Sequence, residues 1–257
     1  MVIRKNKKST RFIFYNTEYF EGLEGVRWKY AAVWKRIFGT KRNLLKICEE
    51  ISSYKPDVVA FIEIQGRSFF GREKYCEIAK KKLGMKYFLL KSKYFDGGFT
   101  KIFRYIPGLK DQSNAFFSKK KLSGSKFIYF EEGVKRLVIK TTVGIPKRVT
   151  FLIVHLALSE GSRKKQMKRV VEIVKKIDGP IILAGDFNTF GGGRELDVLL
   201  KGSRLHKIKE SFTFPAFHPN KIIDHVLVSP EIKIKNYEVL KLKLSDHLPV
   251  MVDFEVK

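Results

Sequence analysis

Pro180-Ile181-Ile182-Leu183-Ala184-Gly185-Asp186-Phe187-Asn188-Thr189 joins a short apolar run to a glycine, a carboxylate and an amide. A run this short and this apolar reads as a strand buried on both faces. Its end presents an acceptor and a donor at the rim of a sheet, where a phosphate could meet them. Alone, the stretch reads equally well as a capped turn leading through Gly191-Gly192-Gly193 into a helix, because Asp and Asn favour turns and caps.

The same grammar recurs at five further places. Arg11-Phe12-Ile13-Phe14-Tyr15 runs into Asn16, and Val58-Val59-Ala60-Phe61-Ile62 stops at Glu63, a carboxylate tolerated there if it meets a cation. Val149–Val154 runs into His155, Ile222-Ile223 into Asp224-His225, and Leu242–Ser245 into Asp246-His247 before Leu248-Pro249-Val250. Six β-prone runs ending in ionisable or amide side chains suggest one site built from many strand ends.

The ordered set Asn16, Glu63, Ser113-Asn114-Ala115, His155, Gly185-Asp186-Phe187-Asn188, Ile223-Asp224-His225 and Ser245–Val250 resembles the endonuclease/exonuclease/phosphatase superfamily. The resemblance spans Asn16 to Val250, and its specific parts are GDFN and SDHLPV. It implies a deoxyribonuclease I-like α/β fold: a two-sheet β-sandwich flanked by helices, in four layers. It departs from the family at Ile62, where a Gln usually precedes the catalytic Glu; Gln65 falls two residues after Glu63 instead. The stretch from Asp186 to Asp224 is shorter than in abasic-site DNA repair enzymes, which favours a general nuclease.

Phosphodiester hydrolysis needs an activated water, neutralised phosphate oxygens and help for the leaving oxygen. The resemblance implies that Glu63 and Asn16 hold Mg2+ or Mn2+, with Asp246 supporting a second metal or a water. Asp186 then orients or deprotonates the attacking water, and Asn188 donates to a phosphate oxygen. His247 faces the phosphate with its tautomer set by Asp224, and His155 contacts phosphate or assists the leaving group. Asn114 either joins the site or caps a turn. His225 reads as structural, on the sheet face opposite Asp224, and His206 and His218 as surface residues.

The 257 residues, 44% hydrophobic, suit a single catalytic domain, 1–257, with a basic N-terminal segment over 1–11 and neither linker nor repeat. Helices are expected at about 33–53, 71–82, 162–176 and 194–201, and a strand at 100–104. The absence of an h-region and of an 18-residue apolar stretch points away from secretion and membrane spanning. Cys48 and Cys76, isolated and without zinc spacing, point to a reducing cytoplasm. The protein is expected to be a monomer.

Charge indicates the substrate. Lys and Arg number 52 against 26 Asp and Glu, a formal net charge of +26. Such self-repulsion makes a polyanion the natural partner, and nucleic acid the first choice, DNA before RNA. Candidate contacts are Arg104, Trp28 and Lys29 in an aromatic-basic insert, Lys119 and Lys120, and Arg163. Trp28, Tyr30 and Trp34 either stack bases or pack a helix onto the sheet. The expectation is a metal-dependent DNA nuclease, endo- or exonuclease, of little sequence specificity. Alternatives are a phosphodiesterase or phosphatase acting on an anionic lipid or small phosphoester, and a basic nucleic-acid-binding protein without catalysis.

Overall fold

The structure, a computed structural model, describes residues 9–18, 40–66, 74–93, 112–133 and 136–257. The first half of the chain supplies β1 (Thr10–Asn16), α1 (Thr40–Ser53), β2 (Val58–Gln65), α2 (Tyr75–Lys82), β3 (Tyr87–Ser92), β4 (Gln112–Ser118), β5 (Leu122–Tyr129) and β6 (Leu137–Gly144). The second half supplies β7 (Arg148–His155), α3 (Glu160–Lys175), β8 (Ile181–Asp186), a 3-10 turn (Gly193–Leu196), α4 (Asp197–Gly202), β9 (His206–Lys207), β10 (Asp224–Val228), β11 (Ile232–Val239) and β12 (Val250–Val256).

These strands form two six-stranded sheets, ordered β11-β12-β1-β2-β4-β3 and β5-β6-β7-β8-β10-β9. Each contains one parallel pair, β1 with β2 and β7 with β8, and the remaining pairings are antiparallel. A parallel pair needs a long crossover, and α1 and α3 lie within these two connections.

Alternation along each strand builds the layers. Phe12, Phe14, Ala60 and Ile62 face Phe151, Ile153, Ile182 and Ala184 between the sheets. Ile13, Val59 and Phe61 turn outward onto Leu44, Ile47 and Ile51 of α1 and Ala79 of α2. Leu152, Val154, Ile181 and Leu183 turn onto Met167, Val170 and Val174 of α3 and Leu199 of α4. Both faces are covered, so the central strands read as unbroken apolar runs, and the expected four-layer α/β sandwich is the observed one. Phe151 centres the middle layer, with ring centroids 5.3 Å from Phe12 and 5.2 Å from Phe116. Burying such a ring contributes roughly 1.5–3 kcal/mol.

The expected helices are present with shifted bounds. The third starts at Glu160, and the fourth opens as a 3-10 turn. Residues 33–39 and 71–73, and the strand expected at 100–104, lie outside the described residues.

Three strand-end expectations are corrected. β2 does not stop at Glu63 but continues to Gln65, because Glu63 is a bulge with φ 52° and the pairing with β4 shifts between Phe61 and Ile64. Asp224 opens β10 rather than ending a strand, and 240–249 is a loop leading into β12. Where a neighbour is antiparallel, its beginning lies beside the end of the strand it pairs with, so the side chains reach the same edge.

Arg11 is the last residue of the basic segment over 1–11 and, as its run predicts, belongs to β1. It is 2% exposed within β1, and its Nε and Nη2 each donate at 2.7 Å to Asp253 across the β1–β12 ladder. Among the described residues no helix is long and apolar enough to cross a membrane.

Candidate active site

The parallel strands β1, β2, β7 and β8 end at one edge of the sandwich, where β4, β10 and β12 begin. The register sets His155 beside Asp186 and Asp186 beside Asp224. From the other sheet, Asn16 donates through Nδ2 to Asp186 Oδ2 at 3.2 Å, closing the edge. Asn16, Asp186, Asn188, Asp224, His155 and His247 are all buried.

Gly185 is required for this convergence. A Cβ there would stand 2.1 Å from the Val154 carbonyl oxygen, so the close approach of β8 to β7 leaves no room for a side chain. The following carboxylate is therefore placed by strand packing. Asn188, with φ 51°, donates its backbone N–H to Asp186 Oδ1 at 2.9 Å and its amide to Leu156 O at 2.9 Å.

Glu63 reaches the edge through its bulge. Unbroken alternation would point residue 63 outward with Val59 and Phe61, into the layer under α1 and α2. The extra residue gives that place to Ile64 and leaves Glu63 Oε1 3.7 Å from His155 Nδ1. Asn114 lies inside β4 rather than in a turn, and its Oδ1 accepts from the Glu63 N–H at 3.1 Å. It positions the bulge.

His247 Nδ1 stands 2.7 Å from Asp224 Oδ2, which also accepts from Thr213 Oγ1 at 2.6 Å. His247 Nε2 points toward Asp186 Oδ2 at 3.8 Å and Asp246 Oδ1 at 3.9 Å. Burial opposes charge on this ring, yet Asp224, Asp186 and Asp246 outweigh it and raise the His247 pKa to about 10. The 3.3 Å approach of Asn16 Nδ2 to Nε2 is a hydrogen bond only with a neutral ring. The carboxylates favour the imidazolium, and a cation among them works the other way. Burial also lifts Asp224 above the carboxylate range, against the pull of His247.

The carboxylates at this edge offer the oxygen ligands that a hard divalent cation takes. Asp186, Asp224 and His247 each offer a ligand atom within 4.8 Å of the others, and Asp224 Oδ1 is buried without a hydrogen-bond partner. Burial, Glu63 and Asp186 hold Asp246 above its ordinary range, against His247. Anions that destabilise one another in a chain of net charge +26 are the local signature of a cation site.

His155 sits between Asp186, 3.3 Å from Nε2, and Glu63. His225 lies outside the cluster, its Nε2 2.9 Å from Thr189 Oγ1 and its ring edge-on to Phe187. Burial lowers its pKa to about 4, against nearby Glu210 and alongside Lys207. The unfolded chain therefore binds a proton below about 6.5 that the fold refuses until about 4, so stability falls across that window as pH falls. In wild type, this one group is expected to remove about 3 kcal/mol between pH 6.5 and 4, and His225→Gln should flatten that part of a denaturant midpoint–pH curve.

Among the described basic candidates, two lie away from this edge. β4 runs away from it, so Lys119 and Lys120 lie at the far end, where Lys119 meets Asp57 with its N–H on the carbonyl and Nζ 3.7 Å from the carboxylate. Arg163 is 4% exposed, with Nε 2.7 Å from Glu195 Oε2 and Nη1 on the Ala157 and Leu158 carbonyls. Its guanidinium is committed to the protein. Arg104, Trp28 and Lys29 lie outside the described residues. Sequence reasoning missed Thr213 and the Arg163–Glu195 pair, for which spacing carries no signal.

The sequence matches the endonuclease/exonuclease/phosphatase family over residues 15–247. Among curated proteins none matches significantly. Similar solved structures include the human nocturnin catalytic domain with bound sulfate, at TM-score 0.69 and 18% identity, covering 98% of this chain and 96% of that one. A humanized D. rerio TDP2 superposes at TM-score 0.67 and 16% identity over 97% and 100% of the two chains. A Bacteroides thetaiotaomicron mannosyl-6-phosphatase does so at 0.67 and 17% over 96% and 100%.

Proposed function

The chain belongs to the endonuclease/exonuclease/phosphatase family of metal-dependent phosphoester hydrolases, and from that premise we propose that it hydrolyses nucleic acid, DNA before RNA. The observation that carries this reading is the charge: 52 Lys and Arg against 26 Asp and Glu, around a site that is itself acidic. A polyanion is drawn to such a surface, and a divalent cation would offset the repulsion between its phosphate and the carboxylates.

Glu63 and Asn16 would hold Mg2+ or Mn2+, with Asp246 beside them, and the ion would supply charge neutralisation at the phosphate oxygens. Asp186 takes or orients the proton of the attacking water. Asn188 keeps one amide hydrogen on Leu156 O and turns the other to a phosphate oxygen. His247, aligned by Asp224, donates from Nε2 to the phosphate, and His155 assists the leaving oxygen. Contacts to phosphate rather than base edges give little sequence preference.

Labelled single-stranded, duplex, nicked, abasic and RNA substrates in a Mg2+ and Mn2+ titration test the reading. EDTA-sensitive cleavage of DNA is expected. Intact nucleic acid together with turnover of a sugar phosphate or of phosphoester headgroups in anionic vesicles would overturn it. Glu63→Gln should raise the Mg2+ concentration needed for half-maximal activity; an unchanged titration would remove Glu63 from the metal shell.

A further inference from the structure

Among the described residues six large apolar side chains are exposed, and four of them lie within three residues in sequence of a site residue or of one bonded to it: Leu158 at 63%, Phe190 at 44%, Phe212 at 54% and Phe217 at 36%. Exposed apolar residues scattered singly need no explanation, whereas a group at one edge does. Leu158 follows His155 by three residues and Phe190 follows Asn188 by two. Phe212 precedes Thr213, the partner of Asp224, and Phe217 follows Ala216, whose N–H donates to Asp246 O at 2.7 Å.

The loops bearing Leu158 and Phe190 are fastened to each other. Arg163 Nη1 donates to Ala157 O at 3.1 Å and Leu158 O at 2.7 Å, and its Nε donates to Glu195 Oε2. Glu195 Oε1 accepts from the Gly191 N–H at 2.6 Å, next to Phe190. One buried ion pair thus holds both loops. From Phe190 an aromatic row leads inward, 6.1 Å to Phe214 and a further 4.9 Å from Phe214 to the His247 ring.

Resting on the nucleic-acid reading, we infer that Phe190 and Leu158 form a fixed apolar platform that takes an unstacked nucleobase beside the scissile phosphate, so the enzyme prefers unpaired strands to duplex. The net charge of +26 makes a polyanion the complementary occupant, and the base is its apolar part. Bases in a duplex are stacked and paired, and cannot present a face to Phe190 without being extruded. A platform tied down by the hydrogen bonds of Arg163, Glu195 and Asn188 is already ordered before the base arrives, which lowers the cost of binding. Insertion into a lipid surface needs apolar depth but no such registration against the imidazole. Arg163 and Glu195 are positioning residues in this arrangement.

The test compares wild type, Phe190→Ala, Phe190→Trp and Glu195→Gln on single-stranded and duplex oligonucleotides of one sequence. It adds a single strand lacking the bases that flank the cleaved bond, and vesicles of anionic phospholipid. For Phe190→Ala, KM on the intact single strand should rise about tenfold, within the range of base–aromatic stacking, with little change on the base-free strand. Phe190→Trp should keep the wild-type preference, and Glu195→Gln should lose part of it through KM. Equal KM values for wild type and Phe190→Ala on the intact strand would overturn the platform while leaving the nuclease reading in place. Loss of vesicle binding in Phe190→Ala with unchanged nucleic-acid kinetics would overturn it in favour of a membrane contact. If wild type cleaves no nucleic acid, the nuclease reading fails. The platform is then decided by single-strand affinity in EDTA, weakened by Phe190→Ala if it exists and unchanged if it does not.

Discussion

Asp186→Asn and His247→Gln are each expected to lower turnover on a cleaved nucleic-acid substrate by at least roughly a hundredfold, the usual scale for losing an acid–base group. Asp186 receives Asn16 on one oxygen and the Asn188 N–H on the other, so its carboxylate is held in place between the two sheets. Asparagine keeps the shape and removes the negative charge that draws a proton from water. Glutamine in place of His247 retains a donor for Asp224 while deleting the ring that reaches toward Asp186, so Asp224 is not left as an unpaired buried carboxylate.

Stability separates this role from a structural one. Burial and, to a lesser degree, Asp186 raise the pKa of Asp224 and of Asp246 against the pull of His247, while Asp186 also favours the His247 imidazolium. Asp186→Asn removes this repulsion together with the attraction to His247, and should therefore leave the metal-free melting temperature little changed. A fall in Tm that matches the fall in turnover would assign Asp186 to the fold. Weaker nucleic-acid binding with unchanged turnover would assign it to recognition.

The largest effect on stability is expected far from this edge. Asp253→Ala leaves the Arg11 guanidinium, 2% exposed, without its bidentate partner, and should cost about 3–5 kcal/mol in a denaturant titration. In wild type Asp253 holds the Arg11 pKa above its ordinary value, against the effect of burial; without Asp253 the guanidinium still cannot escape by losing its proton, because arginine stays charged in proteins. The double replacement Arg11→Met with Asp253→Leu should recover most of the loss, because an apolar pair incurs no desolvation of charge. Arg11 lies five residues from Asn16 along β1, roughly 16 Å at a strand's rise. Activity per folded molecule should accordingly survive in the double variant. Failure of the double variant to regain stability would mean that the pair contributes shape and not only charge balance.

The legible part of this protein was the part encoded locally. Runs such as Ile181–Ala184 and Phe151–Val154 declare strands buried on both faces, and these central strands are where the sequence reading and the sandwich agree. Asn16, Asp186 and His155 could be placed because each closes its strand, so the side chain at the boundary leaves the sheet at its edge. Glu63, Asp224 and His247 were found by type and order but with the wrong local geometry. A bulge, an antiparallel start and a loop all deliver side chains to the same edge, and a linear pattern does not distinguish them.

Electrostatics divides in the same way. The net charge is a sum over residues and needs no structure, so the expectation of a polyanionic partner stands on the sequence. Which cations are free to meet that partner depends on neighbours far along the chain. Arg163 is occupied by Glu195, 32 residues away, and Arg11 by Asp253, 242 residues away. Lys119 and Lys120 lie at the far end because β4 runs antiparallel to β2. The sequence by itself determined the layered α/β class, the candidate residues that meet at one sheet edge and the sign of the net charge, since alternation, strand ends and charge are local or additive properties. Only the tertiary structure decided that Gly185 sits against the Val154 carbonyl, that Thr213 supports Asp224, and that the loops of Leu158 and Phe190 are held by one ion pair, Arg163 with Glu195. Those are contacts between segments distant in the chain, and they exist only once two sheets have packed face to face.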